Sequence, residues 1–179
     1  MNGTLRVTKG DVRSPQMTND NELAIIPHCC NNLGVMGAGV ALALRNKWPL
    51  VYKVYEQMEA AAKMALSCPN GFKDRLGYNC NAVVENNIIV VNMVGQDGTV
   101  NADNPKPVKY WALSRCLKNV RTNLIATLAV HKSFKAMKPV IHCPKFGSDL
   151  AGGDWNFILE LIREEWLEHG IDVVVYEFE

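Results

Sequence analysis

The feature that most constrains the fold is an apolar run at residues 23–27 that leads straight into HCCNNLGVMGAGVALALRNKWP, residues 28–49. A strand-like stretch there opens into a loop bearing Gly34, Gly37 and Gly39 and then into an alanine-rich helical pattern. Glycines let the backbone turn its N–H groups toward an anion at close range. The helix behind them presents unpaired amides and about half a positive charge. A strand, glycine loop and helix in this order is the building unit of an α/β fold, and its turn is suited to holding a phosphate.

The remaining chain repeats the alternation. Strand-like runs at residues 5–7, 23–27, 88–93, 140–144 and 171–176 are separated by helical patterns, which predicts α/β architecture, with residues 75–84 as a weaker sixth strand. Residues 39–64 read as two helices broken at Pro49. Over residues 108–130 Val108, Ala112, Cys116, Val120, Leu124 and Leu128 recur every fourth position, after a long hydrophilic loop at 95–106. At 154–169 Trp155, Ile158, Leu159, Ile162 and Trp166 build one apolar stripe, with Asp154 as N-cap and Gly170 as stop.

A second strand, glycine loop and helix unit follows the fourth strand, where VIHCPKFGSDLAGGDW passes through Gly147, Gly152 and Gly153 into the helix capped by Asp154. One such loop is commonly just a turn. Two at strand ends can clamp both phosphates of a diphosphate, and Lys145 could add charge. Neither loop is a P-loop, since GxxxxGK[ST] is absent, and GVMGAG spaces its glycines unlike GxGxxG, which argues against a dinucleotide-binding Rossmann enzyme.

Composition narrows the class. At 179 residues, 48% apolar and 21% charged, the chain is expected to be one domain spanning 1–179. Its 19 basic and 18 acidic residues leave a net charge of +1 with no basic block, so general nucleic-acid binding is not expected. Cys29, Cys30, Cys68, Cys80, Cys116 and Cys143 form no CxxC pair and read as small hydrophobes in a reducing compartment. MNGTLRVTKGDV lacks a signal-like apolar core and no run reaches the roughly 18 apolar residues of a membrane helix, so a cytoplasmic location is expected. No metal-ligand cluster is evident, because His142 and Cys143 are neighbours on a strand and point to opposite faces.

KGDV near the start, HCCNNLGVMGAGVALAL in the first quarter and PKFGSDLAGGDW near the end resemble, in order, the signature regions of macrodomains, which bind ADP-ribose. The resemblance spans nearly the whole chain. It implies a three-layer α/β/α fold with a central mixed sheet flanked by helices, an ADP-ribose-type small-molecule ligand and no cofactor. Because His28 precedes the asparagine-bearing loop, the sequence is most similar to the branch containing ADP-ribose 1″-phosphate phosphatases.

By that resemblance Asp11, beside Val12, receives the adenine amino group, Asn31 and Asn32 stand beside the distal ribose, and Tyr176 is a candidate adenine-stacking residue, although an aromatic on a closing strand is as often core. Gly34, Val35, Met36, Gly37, Ala38 and Gly39 form the first phosphate loop, and Gly147, Ser148, Asp149, Leu150 and Ala151 the second. His28 is the first choice for chemistry, since an imidazole titrates near neutrality and can activate water, and a buried strand histidine is the alternative. Asp149 and Asp97 rank next as acid partners, though an aspartate inside a phosphate loop also repels the ligand. Three functions stay open: a phosphatase, a non-catalytic ADP-ribose binder, and an ADP-ribosyl glycohydrolase. Gly95, Gln96 and Asp97 stand where some glycohydrolases carry a lysine, and Ala151 where they carry an aspartate, which argues against the last.

Overall fold

The computed structural model describes residues 1–64 and 75–178, so Cys68 lies outside the described residues. Six strands, β1 (Leu5–Lys9), β2 (Glu22–Asn31), β3 (Asn79–Glu85), β4 (Ile88–Gln96), β5 (Lys138–Pro144) and β6 (Val173–Glu177), form one sheet in the order β1-β6-β5-β2-β4-β3. Neighbours are parallel except β3, which lies antiparallel on β4 at the edge. The weak sixth strand of the sequence is therefore β3, shifted toward the carboxyl end.

Helices cover both faces. On one side α1 (Gly39–Lys47) and α2 (Pro49–Met64) bury Leu44, Val51 and Tyr55 against Ala24, Ile26, Cys30, Val90 and Val94. On the other, α3 (Tyr110–Asn119), α4 (Ala126–Val130) and α5 (Trp155–Glu165) bury Leu113, Leu117, Leu128, Ile158, Ile162 and Trp166 against Leu23, Ile25, Ile89, Val91 and Ile141. Successive β2 and β4 residues alternate between the two cores, so both strands read as continuous apolar runs. The result is the three-layer α/β/α sandwich with a mixed sheet.

Two details depart from the sequence pattern. The predicted helix over 108–130 is interrupted by a π-helical stretch, Val120–Ile125, between α3 and α4. A four-residue spacing drifts roughly 40° per step on a helix of 3.6 residues per turn, and the wider π turn takes some of that drift back, which keeps Val120 and Leu128 buried with Cys116. The α5 stripe behaves as read, with the Asp154 carboxylate accepting from the Asn156 N–H at 2.8 Å.

The second detail makes the site. β2 and β5 are paired from Glu22↔Lys138 to Ile25↔Ile141, and past that point β2 follows β4 while β5 follows β6. Pro27, which has no N–H to give, stands just beyond the last β2–β5 pair. The chain leaving β2 goes to α1 and α2 on one face, and that leaving β5 goes to α5 on the other. A crevice at such a switch point, outside the carboxyl ends of parallel strands, is where open α/β sheets bind ligands. Among the described residues no helix is long and apolar enough to cross a membrane.

Candidate functional site

The crevice is a cleft of about 260 Å³. Its floor is residues 28–31 of β2, one wall is residues 35–41, the other is residues 144–151, and Gln96, Thr99 and Val100 close an end. Both glycine loops identified in the sequence therefore face one another across a single space.

The first loop is held from within and from below. Asn31 Nδ2 donates to the Val35 carbonyl at 2.7 Å, while its Oδ1 accepts from the Leu33 and Val35 amides at 2.9 and 3.3 Å. Tyr55 of α2 is fully buried; its hydroxyl donates to the Asn31 carbonyl and accepts from the Gly34 N–H at 3.1 Å. Tyr52 donates to the Gly34 carbonyl at 3.3 Å. With the loop so fixed, α1 begins at Gly39 with Ala38 as a cap that makes no side-chain hydrogen bond, and with no acid in its first turn. The first residues of that helix, Gly39, Val40 and Ala41, line the cleft, and a helix start carries orphan amides and the positive end of the dipole.

The second loop needs its glycines for space. A Cβ on Gly153 would stand 2.2 Å from the Gly147 carbonyl oxygen, and one on Gly147, at φ +72°, would stand 2.9 Å from Leu113 Cδ1. Asp149 follows at φ +45°, a left-handed conformation unusual for any residue but glycine, and it is exposed at the cleft. Across the space, Leu150 Cδ1 lies 3.4 Å from where a Gly39 Cβ would be, so the two loops nearly touch there.

Of the residues expected to carry chemistry, His28 and Asp149 line the cleft and Asp97 does not. His28 is 1% exposed, and its Nε2–H donates to Asn92 Oδ1 at 2.6 Å. That donor assignment follows from Asn92, whose Nδ2 is spent on the Val51 carbonyl at 3.0 Å and on Cys80 Sγ. Burial pushes the imidazole pKa down to about 4, against a smaller opposing pull from Asn92, so His28 is neutral at pH 7. Asp97 accepts from Asn32 Nδ2 at 3.0 Å, and Asn32 Oδ1 takes the Gly98 N–H at 2.8 Å, so these two residues lace the ends of β2 and β4 together.

The structure places the adenine-side candidates apart from the cleft lining. Asp11 is paired with Arg13 at 2.5 Å, and the hydrogen bond from that guanidinium holds its carboxyl below the usual range. Val12 is buried in the α1–α2 core. Tyr176 is 3% exposed and its hydroxyl is engaged by the Gln16 amide and His142, which leaves no open ring face for stacking. Lys145 lines the cleft with its ammonium 2.6 Å from Glu177.

Several contributors escaped the sequence reading. Tyr52 and Tyr55 read only as a helical stripe, because nothing local says that their hydroxyls reach a loop some twenty residues earlier. Asn92 sits in an otherwise apolar strand, and a lone amide there is a legible sign of a buried polar partner. Gln96, Thr99 and Val100 follow from the rule that loops after parallel strands line the crevice. Among the described residues no group of three or more His, Cys, Asp and Glu side chains is arranged to hold a metal.

No family profile matches the sequence. Over 51 residues, 28% of this chain, it is 37% identical to an ADP-ribose 1″-phosphate phosphatase of Scheffersomyces stipitis, a stretch that spans 30% of that protein. The fold is similar to a Bacteroides thetaiotaomicron protein of unknown function, at TM-score 0.77 and 31% identity, covering 97% of this chain and 98% of that one. It is also similar to a macrodomain protein from Streptomyces coelicolor, at TM-score 0.73 and 28% identity, covering 97% of this chain and 98% of that one.

Proposed function

We propose that this chain is a macrodomain whose cleft binds ADP-ribose-type ligands and removes the terminal phosphate of ADP-ribose 1″-phosphate. The observation that carries the binding half is the pair of loops facing one another across the cleft, one of them ending in the uncapped start of α1. The diphosphate lies between residues 34–39 and 147–151, held by backbone amides. The adenosine extends toward β6 and β1, where Asp11 and Val12 leave the same sheet edge, and the distal ribose lies toward Asn31, Asn32 and β4.

The geometry redistributes the chemical roles. His28 is a weak base at neutral pH, being buried, neutral and tied to Asn92, and it acts by holding the floor of the cleft. Asp149 is the exposed carboxylate at the cleft, kept in a backbone conformation that glycine would adopt more cheaply. In the proposed step its carboxylate takes a proton from water as the water oxygen attacks phosphorus. The bond from phosphorus to the anomeric oxygen breaks, that oxygen takes a proton from solvent and Asp149 returns its own to solvent, giving ADP-ribose and inorganic phosphate. Asp97, engaged with Asn32, orients the β4 loop.

The test is phosphate release from ADP-ribose 1″-phosphate by the wild type, Asp149→Asn and His28→Gln, alongside calorimetry with ADP-ribose. Loss of release in Asp149→Asn with retained binding supports the assignment. Binding without release in the wild type favours the second reading, a non-catalytic binder, which the enclosed state of His28 supports. Absence of ADP-ribose binding overturns both. Release of ADP-ribose from a modified macromolecule instead would favour glycohydrolysis.

A further inference from the structure

Apart from the groups assigned to chemistry, three polar side chains are buried together on the α1–α2 face of the sheet. Glu22 at the start of β2 is 2% exposed, His142 in the middle of β5 is 0% exposed and Tyr176 near the end of β6 is 3% exposed. His142 Nε2 lies 2.6 Å from Glu22 Oε1 and its Nδ1 lies 2.9 Å from the Tyr176 hydroxyl. Burying such groups is costly unless every donor and acceptor is used.

Here one proton arrangement uses them all. The Gln16 N–H donates to the Tyr176 oxygen at 2.7 Å, so the tyrosine hydroxyl spends its own hydrogen on His142 Nδ1. The imidazole proton must then sit on Nε2, where it donates to Glu22. Glu22 Oε2 in turn accepts from the Thr18 N–H and Oγ–H at 3.0 and 2.7 Å. Both ends of this chain of hydrogen bonds stop on one segment, residues 10–21, which runs from the end of β1 to the start of β2. That segment carries Asp11 and Val12.

We propose that Glu22, His142 and Tyr176 are positioning residues, a buried strut that fixes the 10–18 segment and thereby the adenosine side of the ligand site. The proposal rests on the placement of adenosine given above. Tyr176 thus serves adenine recognition indirectly: it pins the backbone at Gln16, five residues beyond Asp11, instead of offering its ring. The Asx turn in which Asp11 accepts the Arg13 N–H at 2.8 Å lies between these anchors and the sheet edge.

Tyr176→Phe removes the strut's central hydroxyl at nearly constant volume. Affinities of the wild type and the variant are compared for ADP-ribose, AMP and ribose 5-phosphate, the last lacking adenosine. The expected result is a loss of about tenfold for ADP-ribose and AMP, with ribose 5-phosphate changed by less than about twofold. Equal losses for all three would mean general loosening and would overturn the proposal, as would unchanged AMP affinity. Hydrogen exchange supplies a readout independent of any ligand: exchange at Gln16 and its neighbours should quicken at least tenfold in the variant while β4 and β5 amides stay as they were, and uniform or absent change overturns the strut. If Tyr176→Phe does not fold, the exposed Thr18→Val, which deletes one Glu22 contact, decides by the same two measurements with a smaller effect in the same direction. A wild type that binds none of the three ligands sinks the placement of adenosine, and the exchange result still judges the strut.

Discussion

Acidification tests the enclosure of His28. Its pKa is about 4 in the folded chain, against about 6.5 in an unfolded one. Between those values the unfolded chain binds a proton that the native state refuses, so stability rises with pH across this window and drains as pH falls through it. The contribution is complete above the unfolded pKa. For one site with these two pKa values, lowering the pH from about 7.5 to 5.0 removes about 2 kcal/mol. Burial also holds the His142 imidazole below its ordinary value, so it weakens the fold in the same window, and His28 is isolated by difference. His28→Gln keeps an amide donor for Asn92 and has no titration. Urea unfolding of both proteins followed by circular dichroism at the two pH values should show the wild type losing about 2 kcal/mol more than the variant. Equal losses would refute the enclosure and restore His28 as an ordinary, solvent-reachable base.

Three further outcomes follow from the loops. Gly153→Ala places a Cβ 2.2 Å from a backbone oxygen, so a loss of about 3 kcal/mol is expected in thermal unfolding. Tyr55→Phe deprives the Gly34 amide and the Asn31 carbonyl of their shared partner, with an expected cost of about 1–3 kcal/mol and a roughly tenfold fall in ADP-ribose affinity by calorimetry. Asp149→Asn removes a negative charge from an anion site while keeping a residue that tolerates positive φ; ADP-ribose affinity should rise by about threefold or more, most at low salt, with little change in melting temperature.

The architecture was largely legible because its signal is local. β2, β4, β5 and β6 are apolar runs, α5 is an apolar stripe that starts behind its cap Asp154 and stops at Glu165, with Gly170 closing a separate 3-10 turn at Leu167–His169, and both glycine loops sit between such elements. Asp149 and residues 35–39 line the cleft, as a loop after a parallel strand has one edge of the sheet to occupy, whereas Gly34 is turned to Tyr52 and Tyr55. His28 lines the cleft, but its state was not legible. A histidine's pKa depends on burial and on Asn92, sixty-four positions away, and on Val51, which fixes how that amide is turned. Tyr176 had the right strand and an unreadable environment: the sequence says aromatic near a strand end, and only Gln16 and His142 decide which way its hydroxyl is tied.

By itself the sequence determined the alternation of strands and helices, the two turns able to present amides, and the resemblance that names the ligand class, since each depends on residues close together in the chain. The tertiary structure alone decided that β2 and β5 part beyond Ile25 and Ile141 so that the two turns share one cleft, and which polar side chains meet water there. Desolvation and hydrogen-bond partnership are set by neighbours brought together from distant strands, and those are properties of the packed chain.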